Sequence, residues 1–315
     1  MGAGRVTVGS ERRRATTLGE LQSKMACLVS AEGYRAGLEF VPRSTDVIIA
    51  PYAKCGTTWL QQMVHGLRTG GDLDFHDISR VVPWIETAGD LGIDLDAEQR
   101  GEPRAFKSHL AWHDVPKGGR YIVAVRDPRD ALVSAYRFFE GWFFEPGDID
   151  IDTLGRQRFV QGRDYYTHLT SWWPRRHDPD VLLLAYEQMC DDPKGTVRRV
   201  ARFIGLDASE ECIAMACEQS SLESMRANND KYDDAMMRAH SERACGLPPG
   251  SESSKVRAGG VGGYRVEFSD ALLDDLDSTW RDTIGAQFAV PDYEALLEDL
   301  AASRTSVAIA RQVSR

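Results

Sequence analysis

No stretch of this 315-residue chain approaches the ~20 consecutive apolar residues of a membrane-spanning helix, and no apolar segment of signal-peptide length follows the polar start Met1–Arg14. Residue six is Val6 rather than serine or threonine, so the Met-Gly start also lacks a myristoylation signal. An excess of basic residues is missing too. Lys and Arg number 38 against 48 Asp and Glu, a net charge of -10, which excludes the broad cationic surface that sequence-independent nucleic-acid binding needs. Six cysteines (Cys27, Cys55, Cys190, Cys212, Cys217, Cys245) form no C-x-x-C pair, so neither a disulfide framework nor a zinc site is indicated. These absences point to a soluble cytoplasmic protein with reduced thiols and neither membrane nor nucleic acid as partner. Any anionic ligand must find a local basic pocket.

Apolar residues at 42% and charged residues at 27% are ordinary for a globular chain, whose length suits two domains or one large α/β domain. Four short apolar runs each lead into a loop and usually a helix: Asp46–Pro51, Ala105–Leu110, Tyr121–Val125 and Val181–Tyr186. After the first, Leu60, Met63, Val64 and Leu67 fall on one helical stripe that ends at Thr69-Gly70-Gly71. After the third and fourth, Asp127-Pro128 and Asp192-Pro193 have the form of an N-cap followed by proline at the first helical position, and Gly205 reads as a helix stop. Repeated strand-loop-helix units predict a parallel sheet with right-handed crossovers, helices on both faces and a ligand site at the carboxyl ends of the strands. Lys54, His109, Arg126 and Tyr186 lie at or just past those ends. Residues 206–227 have a helical pattern. Asn228–Gly263, polar and rich in Gly, Ser and Pro, reads as a long loop of the lid or binding type. An amphipathic helix around Leu272, Leu273 and Trp280 closes the fold, and the tail after Ser303 is expected to fray.

The turn Lys54-Cys55-Gly56-Thr57-Thr58-Trp59 sets a lysine, a glycine and two hydroxyls between a strand and a helix start, where backbone N–H groups and the helix dipole favour phosphate. It is not a Walker A sequence, which places lysine after its second glycine; here Lys54 precedes the only one. Arg126 offers a planar fork for a second phosphate, with Arg257 as a further donor. Trp59 offers a flat face and Tyr186 a hydroxyl, although an aromatic at position 59 suits a core equally well. His109, in Lys107-Ser108-His109 at a strand end, is the candidate general base, while six other histidines (His65, His76, His113, His168, His177, His240) compete. Trp84 and the run Phe138-Phe139-Glu140-Gly141-Trp142-Phe143-Phe144 read either as an apolar pocket or as plain core. Asp191-Asp192 and Asp233-Asp234 read as solvated charge and capping, so no metal is expected.

In this order, the blocks resemble the cytosolic sulfotransferases that use PAPS (3′-phosphoadenosine 5′-phosphosulfate), over about residues 35–285. Lys54–Trp59 resembles that family's loop for the 5′-phosphosulfate, with Cys55 where serine is usual. Arg126–Ser134 resembles its 3′-phosphate block, in which the arginine and the serine bind that phosphate, and Ser220 joins them. Arg257-Ala258-Gly259 with Gly262-Gly263-Tyr264 resembles the C-terminal segment that closes over the nucleotide; Ala258 replaces lysine and Tyr264 replaces tryptophan. Lys107-Ser108-His109 resembles the family's K-T-H block. The family's short pairing stretch corresponds to Arg265–Asp274, where Asp270 occupies the central apolar position and weakens the expectation of that dimer.

The resemblance implies a single α/β domain over 35–303 with a central parallel sheet and P-loop-like nucleotide-binding architecture, an N-terminal arm at 1–34 that is partly flexible, and a tail at 304–315. It implies transfer of a sulfuryl group from PAPS, leaving PAP, to a hydroxyl or amine of a small, hydrophobic acceptor. Donor contacts would come from Lys54, Cys55, Gly56, Thr57, Thr58, Trp59, Arg126, Ser134, Tyr186, Ser220, Arg257, Ala258 and Gly259. Catalysis would fall to His109, Lys54 and Lys107, and acceptor contacts to Trp84, Phe138 and Phe139. Negative charge builds on the leaving phosphate oxygen, so catalysis is mainly alignment and electrostatics, for which a metal is not required. The competing readings are a P-loop nucleotide kinase or NTPase and a PAP-binding module without catalysis.

Overall fold

The structure, a computed structural model, describes residues 12–257 and 259–302. The expected tail at 304–315, the first 11 residues and Ala258 lie outside the described residues. In chain order the elements that matter for the site are helices α1 (Leu18–Ala26) and α2 (Ala31–Leu38), strand β1 (Val47–Ile49), helix α3 (Thr57–Thr69), strands β2 (Ala105–Lys107) and β3 (Arg120–Val125), and helices α4 (Pro128–Phe139) and α5 (Asp164–Trp172). Strand β4 (Val181–Ala185), helices α6 (Pro193–Phe203), α7 (Glu210–Gln219), α8 (Ala235–Ala244) and α9 (Asp270–Trp280) follow.

The four strands form one parallel sheet in the order β2-β1-β3-β4. Side chains on a strand alternate between faces. Ile48, Phe106, Tyr121 and Val123 therefore face Trp172, Trp173, Tyr166 and Trp280 on one side. Val47, Ile49, Ala105, Ile122 and Ala124 face Leu60, Met63 and Val64 of α3, Val197 and Val200 of α6, and Ile213 and Ala216 of α7 on the other. Both faces being covered explains why each strand is nearly continuous in apolar residues. The helix starts follow from their caps: the Asp127 side chain accepts from Arg129 N–H and that of Asp192 from Gly195 N–H, each with proline in the first turn.

Two expectations change. The boundary at residue 35 falls inside α2, and Ala15 and Leu21 of the arm are buried against Tyr136, Phe138, Trp142, Phe143 and Phe144. The segment after Ala227 is not all loop. A 3₁₀ turn at Asn229–Tyr232 and helix α8 occupy part of it, because Met237 and Cys245 supply an apolar stripe that packs into the same cluster as Leu21. Lys24 Nζ donates to Cys245 O at 3.0 Å and His240 Nε2 to Leu28 O at 3.1 Å, tying α8 to the arm.

Candidate active site

The loops at the carboxyl ends of the strands enclose a cavity of about 700 Å³. Its floor is the turn between β1 and α3. Lys54 (φ 69°) and Gly56 (φ 89°) both take left-handed backbone conformations, and a Cβ on Gly56 would come within 3.1 Å of the Tyr186 ring. Only glycine meets both conditions without strain. Gly56 is the N-cap of α3 and no side chain caps that helix. The N–H groups of a helix's first turn lack intrahelical acceptors, so they face the cavity as anion donors beside Thr57 and Thr58. The Thr57 Oγ1 and Arg126 Nε atoms are buried without hydrogen-bond partners, which fits a site that expects an anionic ligand. His168 and Tyr165 of α5 brace this floor from beneath: His168 Nε2 donates to Ala50 O at 3.1 Å and Tyr165 Oη donates to Arg126 O at 2.6 Å.

Lys54, Gly56, Thr57, Thr58, Trp59, Trp84, Lys107, His109, Arg126, Ser134, Phe138, Phe139, Tyr186, Ser220, Arg257 and Gly259 all line the cavity, so nearly every residue singled out in the sequence converges there. Cys55 does not. Its side chain is fully buried in the core beside Ala50, and burial pushes the thiol up to about 12, so only its backbone is available to a ligand. Arg126 bridges two loops, donating from Nη1 to Lys54 O at 3.1 Å and from Nη2 to Gly260 O at 2.9 Å, with its guanidinium 4.2 Å from the centre of the Tyr186 ring. Trp59 meets Tyr186 edge to face at 5.7 Å. Asp130 anchors the glycine segment by accepting from Gly262 N–H at 2.6 Å and Tyr264 N–H at 3.3 Å. The Tyr264 ring in turn packs 4.6 Å from the Arg129 guanidinium.

His109 Nδ1 lies 2.8 Å from Pro51 O. A carbonyl oxygen only accepts, so this bond assigns the ring proton to Nδ1 and leaves Nε2 with a free lone pair. Burial and the neighbouring Lys107 charge keep the imidazole well below its usual titration range, against the opposing bond to Pro51, so it stays neutral. Glu86 Oε1 accepts from His109 N–H at 2.7 Å and fixes the backbone on which the ring hangs. Trp84 packs edge-on at 5.2 Å.

The family-model comparison matches the sulfotransferase domain over residues 44–300. The chain belongs to the sulfotransferase family. Among its relatives, sulfotransferase 2A1 of Rattus norvegicus is 29% identical over 258 residues, covering 78% of this chain and 86% of that protein. A 3-alpha-hydroxysteroid sulfotransferase of Cavia porcellus is 28% identical over 261 residues, covering 78% and 85%. Among solved structures, retinol dehydratase in a complex with retinol and PAP has the same fold, with a TM-score of 0.66 at 21% identity over 86% of this chain and 95% of that one. Among the described residues no helix is long and apolar enough to cross a membrane.

Several residues of this sulfotransferase site were not legible in the sequence. Asp234 is buried rather than solvated, 3% exposed, and its carboxylate pairs with Lys255 and lies 4.0 Å from Lys107 Nζ. Burial alone would raise that carboxyl group, but Lys255 and Lys107 outweigh it and hold it below the usual range. Its φ of 52°, where asparagine and aspartate are over-represented, was the available signal only once the backbone was known. Lys255 itself, two residues before Arg257, lines the cavity, as do Met25 and Leu28 from the arm. The cations crowd one another. Burial and the Lys255 charge push Lys54 well below its usual value, and the same two causes bring Lys107 down to about 8, with Asp234 opposing in both.

Proposed function

We propose that this protein transfers a sulfuryl group from PAPS to the hydroxyl, or less readily the amine, of a small hydrophobic acceptor. When bound, PAPS supplies an activated sulfuryl group on a phosphate leaving group. The observation that carries the reading is the Nδ1-to-Pro51 bond of His109, which leaves Nε2 unprotonated in a cavity that also holds Lys54 and Lys107. Nε2 can take the acceptor proton as its oxygen attacks. Lys54 sits at the uncapped N-terminus of α3 and would neutralise charge on the leaving phosphate oxygen, with Lys107 assisting beside it. Arg126, Ser134, Ser220 and Arg257 would hold the 3′-phosphate, and Trp59 with Tyr186 the adenine side.

Met25, Leu28, Trp84, Phe138, Phe139 and Trp142 give the far end of the cavity an apolar wall suited to a hydrophobic alcohol or phenol. The named ligand and substrate class of two similar proteins, retinol and a hydroxysteroid, are of that kind. Six unpaired cysteines suit a reducing compartment such as the cytosol. The test is a turnover screen of PAPS with phenols, steroids, lipid alcohols and sugars, run beside magnesium-ATP. Sulfation of an apolar hydroxyl is expected, and ATP turnover without PAPS turnover would sink the reading. His109→Ala should lower kcat by about 10²–10⁴-fold while PAP affinity by calorimetry stays within a few-fold. An equal loss of PAP binding would make His109 structural.

A further inference from the structure

Three lysines and one carboxylate line the transfer end of the cavity. Lys54 follows β1, Lys107 ends β2, and Lys255 comes from the segment ahead of Arg257; all three line the cavity with Asp234. Lys255 is held at two points. Its N–H donates to Asp233 Oδ1 at 3.0 Å, and its ammonium, 8% exposed, pairs with Asp234. Asp234 is fixed in turn by the Ser79 hydroxyl, which donates to Oδ1 at 3.2 Å. Of the other carboxylates, Asp130 accepts from Gly262 and Tyr264 N–H, Asp77 from Ser79 and Met236 N–H, and Glu86 from His109 N–H; the charges of Glu86 and Asp77 reach Lys107 as well. Lys54 and Lys107 each lie 3.8 Å from a ring centre, at Phe138 and Trp84, and Lys107 also lies 4.0 Å from Asp234.

Burying a charge without a counter-charge is costly, so such a surplus needs a reason. With a ligand bound and all three lysines protonated, they and Asp234 together carry two positive charges, and a phosphosulfate carries two negative ones, one on each half. Without Lys255 the set would fall one charge short. An ammonium also has three N–H donors, and Lys255 has a single carboxylate, shared with Lys107, to satisfy them. Lys255 lines the same cavity as Lys54 and His109.

We propose that Lys255 is a third lysine of the transfer centre, contacting the transferring sulfuryl group, with Asp234 as its positioning residue; this rests on the sulfotransferase reading above. In the transfer, the bond from sulfur to the bridging phosphate oxygen breaks and its electron pair stays on that oxygen, where Lys54 stands. The bond from the acceptor oxygen to sulfur forms, and the acceptor proton goes to His109 Nε2. Lys255 and Lys107 hold the sulfuryl oxygens that do not change partners.

The test compares Lys255→Met, Lys255→Arg and Asp234→Asn with the parent protein in three measurements: calorimetric affinity for PAP, which lacks the sulfuryl group; affinity for PAPS without acceptor; and kcat with the acceptor found in the screen. For Lys255→Met we expect PAP affinity within about threefold of the parent, PAPS affinity down about tenfold and kcat down about 10²-fold. Lys255→Arg should recover part of both losses, and Asp234→Asn should show a smaller loss of the same kind. Unchanged kcat and PAPS affinity in Lys255→Met would overturn the proposal. So would parallel loss of PAP affinity, PAPS affinity and melting temperature, the mark of a merely structural lysine. A parent protein that binds PAP and turns over PAPS normally confines either failure to Lys255; a parent that does neither removes the sulfotransferase reading and the proposal with it.

Discussion

At the amino ends of the strands, Asp46 and Arg104 are 0% and 1% exposed, and they satisfy one another completely. Arg104 donates from Nε to Asp46 Oδ1 at 3.0 Å and from Nη2 to Oδ2 at 2.6 Å, and spends its remaining N–H groups on Leu95 O and Asp96 O. At the carboxyl ends, Lys107 and Lys255 share Asp234, Lys54 rests on the Phe138 ring, and Arg126 leans on backbone carbonyls. One end is neutral and saturated; the other keeps surplus positive charge and idle donors. The difference separates an ion pair that joins the starts of β1 and β2 from a cationic set that the proposed function gives to an anionic donor.

The comparison breaks most sharply under paired substitutions. Arg104→Met leaves a buried, uncompensated Asp46 and should cost about 3–5 kcal/mol in denaturant unfolding, while the PAP affinity of the folded protein is retained. Lys107→Met removes a positive charge and leaves Asp234 paired with Lys255, so stability should hold or rise as PAPS binding weakens. If both variants lose stability alike, the two ends are equivalent and the distinction is wrong. Arg126→Ala should come next in size. If Arg126 holds the 3′-phosphate as proposed, losing that charged hydrogen-bonding partner is worth about 1.5–3 kcal/mol. Because Arg126 also ties Lys54 O to Gly260 O, affinity for adenosine 5′-phosphosulfate should fall as well, but by about tenfold less than affinity for PAP. Equal losses for the two ligands would mean that Arg126 serves only as the tie.

The strands, their parallel order and the capped helix starts were legible because they are local: an apolar run, an Asp-Pro cap, a stripe at 3.6-residue spacing. Sixteen of the residues expected at the site by resemblance and chemistry line one cavity, among them Lys54, Lys107, His109, Arg126 and Tyr186 at or just past strand ends. Asp234 was misread because a pair of aspartates in a polar segment looks solvated until α8 and Lys255 close over it. Met25 and Leu28 were missed because the arm's packing against α8 is a long-range contact with no local signature. The same holds for Lys255, whose meaning comes wholly from the carboxylate across the cavity.

The smallest effect tests whether the surplus charge is held under stress. In the folded protein without ligand, burial and Lys255 bring Lys107 down to about 8 from the ordinary lysine value of 10.5. Between those values the unfolded chain binds a proton that the folded one lacks, so this lysine's contribution to stability rises with pH across that window. An anion in the cavity reverses the shift, because an opposite charge nearby favours the ammonium form. PAP binding at pH 8.5–9 should therefore take up protons, a fraction of one per site from Lys107 and more with Lys54, which lies lower still. Calorimetry in two buffers of different ionisation heat would read this directly. Uptake from Lys107 should shrink towards pH 7, and PAP affinity should fall as pH rises through about 8. Lys255→Met removes a cause of the lowering at both lysines, so it should reduce the uptake as well. Uptake unchanged in that variant would mean that burial alone sets the lysines' charge, and that the crowding at the carboxyl ends has no electrostatic consequence.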